Sequence, residues 1–236
     1  MKDVIMRIAI FGANGPTGRL LTDQAVQAGH EVVAVTRRPA DFPLDHKLLS
    51  VVGADVHDAE AVDRSVAGVD AVLSTLGVPF ARKPISVYSD GIRNITAAMS
   101  RHGVKRVVAV SSSATVPHHH ADGGFVMNRI LQPIVVATIG KTTYADMRIM
   151  ERQMRDSDLL WTIVRPSGLF DAATVSRYSL YEDRAPGIFT SRADLAAAIL
   201  EQVADNRFVR KAVAVTTTEG IPTLWQMMRR EAFQRD

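Results

Sequence analysis

The 236-residue chain contains no cysteine. Disulfides, a thiolate nucleophile and a cysteine-ligated metal are thereby excluded. It also lacks an apolar run approaching membrane-spanning length, a signal-peptide pattern at its start, an internal repeat and a low-complexity linker. No membrane partner is therefore expected, and the expected compartment is cytoplasmic. Net charge is small: 28 Lys and Arg against 25 Asp and Glu leave +3, with a sequence pI near 9.4. The basic residues are scattered, which argues against nucleic acid as a partner. The remaining composition, 47% hydrophobic and 22% charged residues, matches a globular protein able to bury a full core. One domain spanning 1–236 is expected.

The apolar run Val4 to Phe11 reads as a short strand, and it breaks directly into Gly12-Ala13-Asn14-Gly15-Pro16-Thr17-Gly18. A buried strand, three glycines and then an amphipathic segment open a nucleotide-binding βαβ unit. Gly12 permits the sharp turn, and Gly15 lets the backbone approach a pyrophosphate. Gly18 lets the next helix pack closely while its free N–H groups and dipole face the phosphates. The spacing is Gly-x-x-Gly-x-x-Gly, not the commoner Gly-x-Gly-x-x-Gly. Glycine is frequent wherever strands turn into helices, so the triplet draws its meaning from the neighbouring segments.

The next of these is Glu31-Val32-Val33-Ala34-Val35-Thr36, a buried parallel strand by pattern, preceded by the helix stop Ala28-Gly29-His30. It ends in Arg37-Arg38, about 20 residues past the last glycine, where such units select between dinucleotides. An acidic residue there would hydrogen-bond a ribose 2′-hydroxyl, whereas two guanidiniums suit a 2′-phosphate. NADP(H) is therefore expected in preference to NAD(H). The plain alternative is a solvated pair of arginines.

Strand and helix patterns then alternate. Strands are expected at Lys47 to Gly53, Gly68 to Leu73, Val104 to Val110, Leu160 to Val164 and Ala212 to Val215. Helices are expected at Asp58 to Ala67, Ser86 to His102 (stopped by Gly103) and Lys141 to Ser157. Such alternation implies right-handed crossovers and a Rossmann-type, doubly wound parallel α/β sheet flanked by helices. Ligands bind at the carboxyl ends of such strands. The candidates there are Arg37, Asp55, Thr75, Gly77, Ser111, Ser112, Pro166 and Ser167.

Several segments carry a family resemblance. The turn Gly12 to Gly18, Gly53-Ala54-Asp55-Val56, Ser74-Thr75-Leu76-Gly77 and Trp161-Thr162-Ile163-Val164-Arg165-Pro166 resemble the atypical short-chain dehydrogenase/reductases of the NAD(P)H-binding, NmrA-like group. Gln24 to Gly29, Val66 to Val72 and Gly91 to Met99 extend the likeness toward its flavin reductase (NADPH)/biliverdin reductase B type. The resemblance covers most of the chain and is weakest between Thr115 and Thr143. It implies NADPH binding and hydride transfer to a planar acceptor. Carried over by position, Gly12, Asn14, Gly15, Pro16, Thr17 and Gly18 would form the pyrophosphate turn, and Arg37 with Arg38 would hold the 2′-phosphate. Asp55 and Val56 would flank the adenine. Thr75, Leu76 and Gly77 would pass beneath the riboses, and Ser111, Pro166 and Ser167 would border the cofactor. Ser112 would lie beside nicotinamide and substrate, or simply cap loop backbone as a polar strand terminus.

The departures from the family pattern are informative. Dehydrogenases of the group use Tyr-x-x-x-Lys, the lysine lowering the tyrosine's pKa. Tyr144 and Arg148 have that spacing, but arginine does not deprotonate and is a different donor. Alignment from Glu151 and Arg165-Pro166 places Thr143 and Met147 at the Tyr and Lys positions. Tyr144 is then about 100° around the helix, which suits a packing or rim residue better than a general acid and disfavours alcohol oxidation. Ser167 replaces a histidine of the flavin reductases. Asp146 and Glu151 are expected to pair with Arg148, Arg152 and Arg155, and Ser191 with Asp194 to serve the first turn of the last large helix.

His118-His119-His120 tempts a metal reading. Adjacent histidines diverge and no carboxylate stands at helical spacing, so a solvated loop is preferred and no metal is expected. Phe125 to Gly140 forms the core of an apolar insertion at about 115–140, either an ordinary core helix or the wall of an apolar pocket. The leading expectation is an NADPH-dependent reductase of a planar small-molecule acceptor such as a flavin or quinone, with flavin as substrate rather than bound cofactor. A non-catalytic NADP(H)-sensing protein and a nucleotide-sugar reductase or epimerase are the alternatives. The oligomeric expectation is a monomer or homodimer.

Overall fold

Alternate side chains of the first strand are all apolar, so it can be buried only inside a sheet covered on both faces. Ala9 and Phe11 enter one core, Ile8 and Ile10 the other, and all four have no exposure. The computed structural model describes residues 5–79, 83–116, 121–126, 129, 137–138 and 140–221. Its first half runs β1 (Arg7–Phe11), α1 (Pro16–Gln27), β2 (Glu31–Thr36), β3 (Leu49–Gly53), α2 (Ala59–Val66), β4 (Ala71–Ser74), α3 (Val87–His102) and β5 (Arg106–Val110). Then come α4 (Lys141–Arg155), β6 (Leu160–Pro166), β7 (Gly168–Phe170), β8 (Tyr178–Glu182), β9 (Phe189–Ser191), α5 (Arg192–Glu201) and β10 (Lys211–Thr217).

Among the described residues, eight strands form one sheet in the order β3-β2-β1-β4-β5-β6-β10-β8. Every pairing is parallel except that of β10 with β8. The result is a Rossmann-like α/β sheet flanked by helices on both faces, as expected. Val62, Ile92, Ile95, Met99, Met150 and Met154 bring α2, α3 and α4 onto one face. Leu21, Ala25, Leu195 and Ile199 bring α1 and α5 onto the other. Local chemistry sets the helix ends. The Asp58 carboxylate accepts from the N–H groups of Glu60 (3.0 Å) and Ala61 (3.1 Å) at the start of α2. Gly103, at φ +71°, ends α3.

Three strands among the described residues were absent from the expectation. β8 adds an antiparallel edge to β10, and β7 pairs with β9 in a separate two-stranded sheet. Ser191 caps α5, its Oγ accepting from the Asp194 N–H at 3.0 Å. Asp194 departs from its expected role in that turn. Fully buried, its carboxylate accepts from Ser176 N (2.6 Å), Ser176 Oγ (3.0 Å) and Thr217 Oγ1 (2.5 Å), tying the approach to β8 to the end of β10. His118-His119-His120 and most of the insertion lie outside the described residues. Among the described residues no helix is long and apolar enough to cross a membrane.

Candidate active site

Strand register brings the separated sequence candidates to one edge. Phe11 pairs with Val35 and Ser74, Thr36 with Gly53, Ser74 with Ala109, Val110 with Val164, and Pro166 with Val215. The residues just past these pairs, Gly12, Arg37, Asp55, Thr75, Ser111 and Ser167, therefore share the carboxyl ends of six parallel strands. The order reverses between β1 and β4, the position at which open α/β sheets bind ligands.

The glycine turn is shaped by steric demand. Gly12 has φ +78°, and a Cβ there would stand 2.7 Å from the main chain of Thr75. Thr75 closes this crossing by donating its hydroxyl to the carbonyls of Phe11 (3.1 Å) and Gly12 (3.3 Å). A Cβ on Gly18 would collide with the Gly12 carbonyl and approach Ala13 Cα to 2.8 Å, so the first turn of α1 rests directly on the loop. Gly15 is different. A Cβ there would meet only the Gly12 carbonyl, at 3.3 Å, and one on Gly77 would meet nothing within 4 Å. α1 begins with Gly15 as N-cap and Pro16 in its first turn, and has neither a side-chain cap nor an acidic residue there. An open, acid-free helix start bordered by glycine fits a phosphate-bearing group. Sequence reasoning passed over Arg19. It is exposed, and its Nε donates to both the carbonyl (3.1 Å) and Oδ1 (2.9 Å) of Asn14.

Arg37 and Arg38 are exposed past β2. Arg38 has one distant carboxylate partner, Asp41 at 3.7 Å. Asp55 is exposed past β3. Hydrogen bonds from the His57 N–H (3.0 Å) and ring Nδ1 (2.8 Å) hold its carboxyl below the usual range. Val56 is buried and its carbonyl accepts from Asn94 Nδ2 at 2.7 Å, while Leu76 packs over Gly91.

At the end of β5 the structure joins two residues that are far apart in sequence. Ser112 caps a short 3-10 turn at Ser113–Thr115, its Oγ accepting from the Ala114 N–H at 3.2 Å. Its hydroxyl is also hydrogen-bonded to the Tyr144 phenol from α4. Burial pushes the Tyr144 pKa up, and Ser112 offsets part of that. The expectation of a packing residue is thus half met: Tyr144 is buried, yet its polar end faces Ser112. Arg148 turns its Nε to the Thr115 carbonyl at 3.0 Å. Thr143 and Met147, at the positions aligned with the family Tyr and Lys, are both buried in the protein interior.

Beneath this pair lies a charged cluster. Glu151 accepts from Ser111 Oγ (2.7 Å), Thr115 Oγ1 (3.1 Å), Arg155 Nη2 (2.8 Å) and Arg165 Nε and Nη2 (3.0 and 2.6 Å). Arg165, 1% exposed, also donates from Nη1 to Asp183 at 2.5 Å. Burial alone would raise the Glu151 pKa, but Arg165, Ser111 and Arg155 together bring it below the usual range. Among the described residues Asp146 forms no arginine pair. It accepts instead from the Tyr88 N–H (2.9 Å) and from Ser89 Oγ at the start of α3, where a carboxylate complements the helix dipole. Pro166 is buried in β6. Ser167 is held inside by bonds to the Gly187 carbonyl (2.9 Å) and Thr190 Oγ1 (3.1 Å).

A family model described as NAD(P)H-binding matches residues 12–206, from the glycine turn to just past α5. The chain belongs to the NAD(P)H-binding family. Within known proteins, it is 38% identical over 108 residues to an uncharacterized Mycobacterium tuberculosis protein, covering 45% of this chain but 12% of that one. A 3-beta-hydroxysteroid dehydrogenase of Mycolicibacterium neoaurum is 26% identical, with 70% of this chain and 48% of the relative covered. An uncharacterized sugar epimerase of Bacillus subtilis is 27% identical over 89% of this chain and 94% of its own length. The chain thus spans less than half of the mycobacterial relatives and nearly all of the Bacillus one. Among solved structures, a short-chain dehydrogenase/reductase of Veillonella parvula in complex with NADP superimposes with TM-score 0.74 at 20% identity, covering 92% of this chain and 96% of that one. The family membership accounts for the acid-free glycine turn: a nicotinamide dinucleotide is the group that it suits.

Proposed function

We propose that this family member is an NADPH-dependent reductase that passes a hydride to a planar acceptor such as a flavin or quinone, the flavin binding as substrate. When bound, the nicotinamide supplies the hydride. The glycine turn Gly12 to Gly18 receives the pyrophosphate, Arg37 and Arg38 the 2′-phosphate, and Asp55 with Val56 the adenine. Thr75 keeps β4 against that turn, and Leu76 and Gly77 lie beneath the ribose. Ser111 supports the strand end from below through Glu151, with Pro166 and Ser167 closing the far side.

The observation that carries this reading is the Ser112–Tyr144 pair. The phenol is buried beside a serine and its pKa is raised, not lowered, so at neutral pH Tyr144 is a hydrogen-bond donor and not a base. Removing a proton from an alcohol requires a base, whereas holding the polar rim of a flat acceptor requires only donors. The acceptor ring must be held at about 3–3.5 Å from the reacting carbon with water excluded, and its final proton can come from solvent. The resemblance to the NmrA-like group and its flavin reductases points the same way. The test is to follow the nicotinamide absorbance with NADPH and a panel of flavins, quinones and ketone-bearing nucleotide sugars, and with NADP+ and steroid alcohols. Turnover of flavins or quinones above the uncatalysed rate supports the reductase. Turnover of alcohols or nucleotide sugars alone refutes it. Tight NADPH binding with no turnover on any acceptor favours an NADP(H) sensor.

A further inference from the structure

We infer that Arg19 is a cation of the dinucleotide site and contacts the pyrophosphate that NADH and NADPH share. The inference rests on the dinucleotide reading above. The Arg19 side chain folds back along α1 toward its N-terminus, the direction that helical side chains take. Its Nε is fastened to the Asn14 carbonyl at 3.1 Å and to Asn14 Oδ1 at 2.9 Å. A guanidinium is thereby fixed on the glycine turn at the positive end of a helix dipole, where a cation is disfavoured. The first turn of α1 holds no acidic residue and its N-cap is a glycine, and among the described residues Arg19 has no ion pair.

An arginine held against a positive helix end, with no carboxylate in ion-pair reach among the described residues, calls for an anion. With Nε committed to Asn14, the two terminal nitrogens remain for phosphate oxygens, which they match in geometry. The neighbouring turn is open at Gly15, where a Cβ would meet only one atom, at 3.3 Å. Arg37 and Arg38 lie past a different strand and serve the 2′-phosphate on the adenosine side of the cofactor. Arg19 therefore acts on affinity for both dinucleotides, and Arg37 on the choice between them.

The test is direct binding, followed by the fluorescence of NADPH and of NADH, with melting temperatures measured without cofactor. Removing a charge-assisted hydrogen bond should weaken binding about 10- to 100-fold. Arg19→Ala is expected to lose that much for NADPH and NADH alike, leaving their ratio as in the wild type. Arg19→Lys is expected to fall between the two proteins. The cofactor-free melting temperature of Arg19→Ala should equal or exceed that of the wild type, because an unfavourable charge has gone. Affinities within twofold of wild type would overturn the assignment, as would a loss confined to NADPH. A cofactor-free melting temperature lowered by several degrees would make Arg19 a brace of the turn and overturn it too. If the wild-type chain bound neither dinucleotide, the underlying reading of the site would fall with it.

Discussion

Replacing Arg165 with methionine should strand the Glu151 carboxylate inside the protein. Glu151 is 2% exposed and receives two of its five hydrogen bonds from this one guanidinium, at 3.0 and 2.6 Å. Removing one partner of a buried ion pair costs about 3–5 kcal/mol, chiefly the penalty of the charge left behind. Ser111, Thr115 and Arg155 remain to Glu151, which places the cost near the lower figure, about 3 kcal/mol. For a domain of this size each kcal/mol lowers the melting temperature by about 2–4 °C, so Arg165→Met should melt about 6–12 °C below the wild type. Glu151→Leu combined with Arg165→Met removes both charges, and should recover most of the loss, since apolar replacement of a whole buried pair is often neutral. The pH dependence has a definite sign. The folded Glu151 pKa lies below its ordinary value of 4.5, so the pair's contribution is full above that pH and is lost as pH falls through the folded value. The gap between wild type and Arg165→Met should be widest near neutrality and narrow below about pH 4.5. Thermal melts by circular dichroism across pH 3–8 measure all of this. A single variant within 2 °C of wild type at pH 7, or a double variant worse than the single, would refute the reasoning.

Four further substitutions bear on the site. Arg37→Ala should weaken NADPH about 10- to 100-fold while changing NADH less than threefold, measured by fluorescence titration; equal losses would remove the 2′-phosphate from this position. Tyr144→Phe should lower reductase turnover less than about tenfold and leave the pH profile between 6 and 9 unchanged, because the phenol does not titrate there. A loss of 100-fold or more is the signature of general acid catalysis and would contradict the donor role. Gly18→Ala drives a methyl group into the Gly12 carbonyl and should cost about 1–3 kcal/mol of stability together with dinucleotide binding. Gly15→Ala should fold normally and lose binding alone. Wild-type affinity in Gly15→Ala would mean that no phosphate passes there.

The parallel sheet was legible because its strands are short, apolar and punctuated: Gly29, Gly103 and Asp58 each stand where a helix stops or starts. The same logic missed β8, since Tyr178–Glu182 alternates weakly and only long-range pairing with β10 makes it a strand. β7 and β9, three residues each, have no periodicity to detect. In the site, residues whose role is steric or backbone-borne, Gly12, Gly18 and Thr75, are set by the motif. Roles set by distant partners are not. Asp146 looked like a member of a helical charge ladder because three arginines lie near it in sequence, yet its partners sit more than 50 residues away, at Tyr88 and Ser89. Nothing local tells that the phenol of Tyr144 will meet Ser112, or that Arg165 will point inward to Glu151. Arg19 did leave a signal: a cation in the first turn of a helix that carries no acid there.

The antiparallel edge bears on how the chain assembles. β8 is synthesised before β10, but its place in the sheet exists only once β10 has docked against β6. Six parallel strands can therefore collapse in order of synthesis, β1 through β6, while Tyr178–Glu182 waits with its backbone groups bonded to water. When Lys211–Thr217 arrives, it gains a parallel neighbour on one side and an antiparallel one on the other. A ribosome-bound intermediate lacking this strand would expose the free side of β6, an edge able to recruit the wrong partner. β10 is thus the keystone of the sheet, and slowing its arrival should raise aggregation before it lowers the stability of the finished molecule.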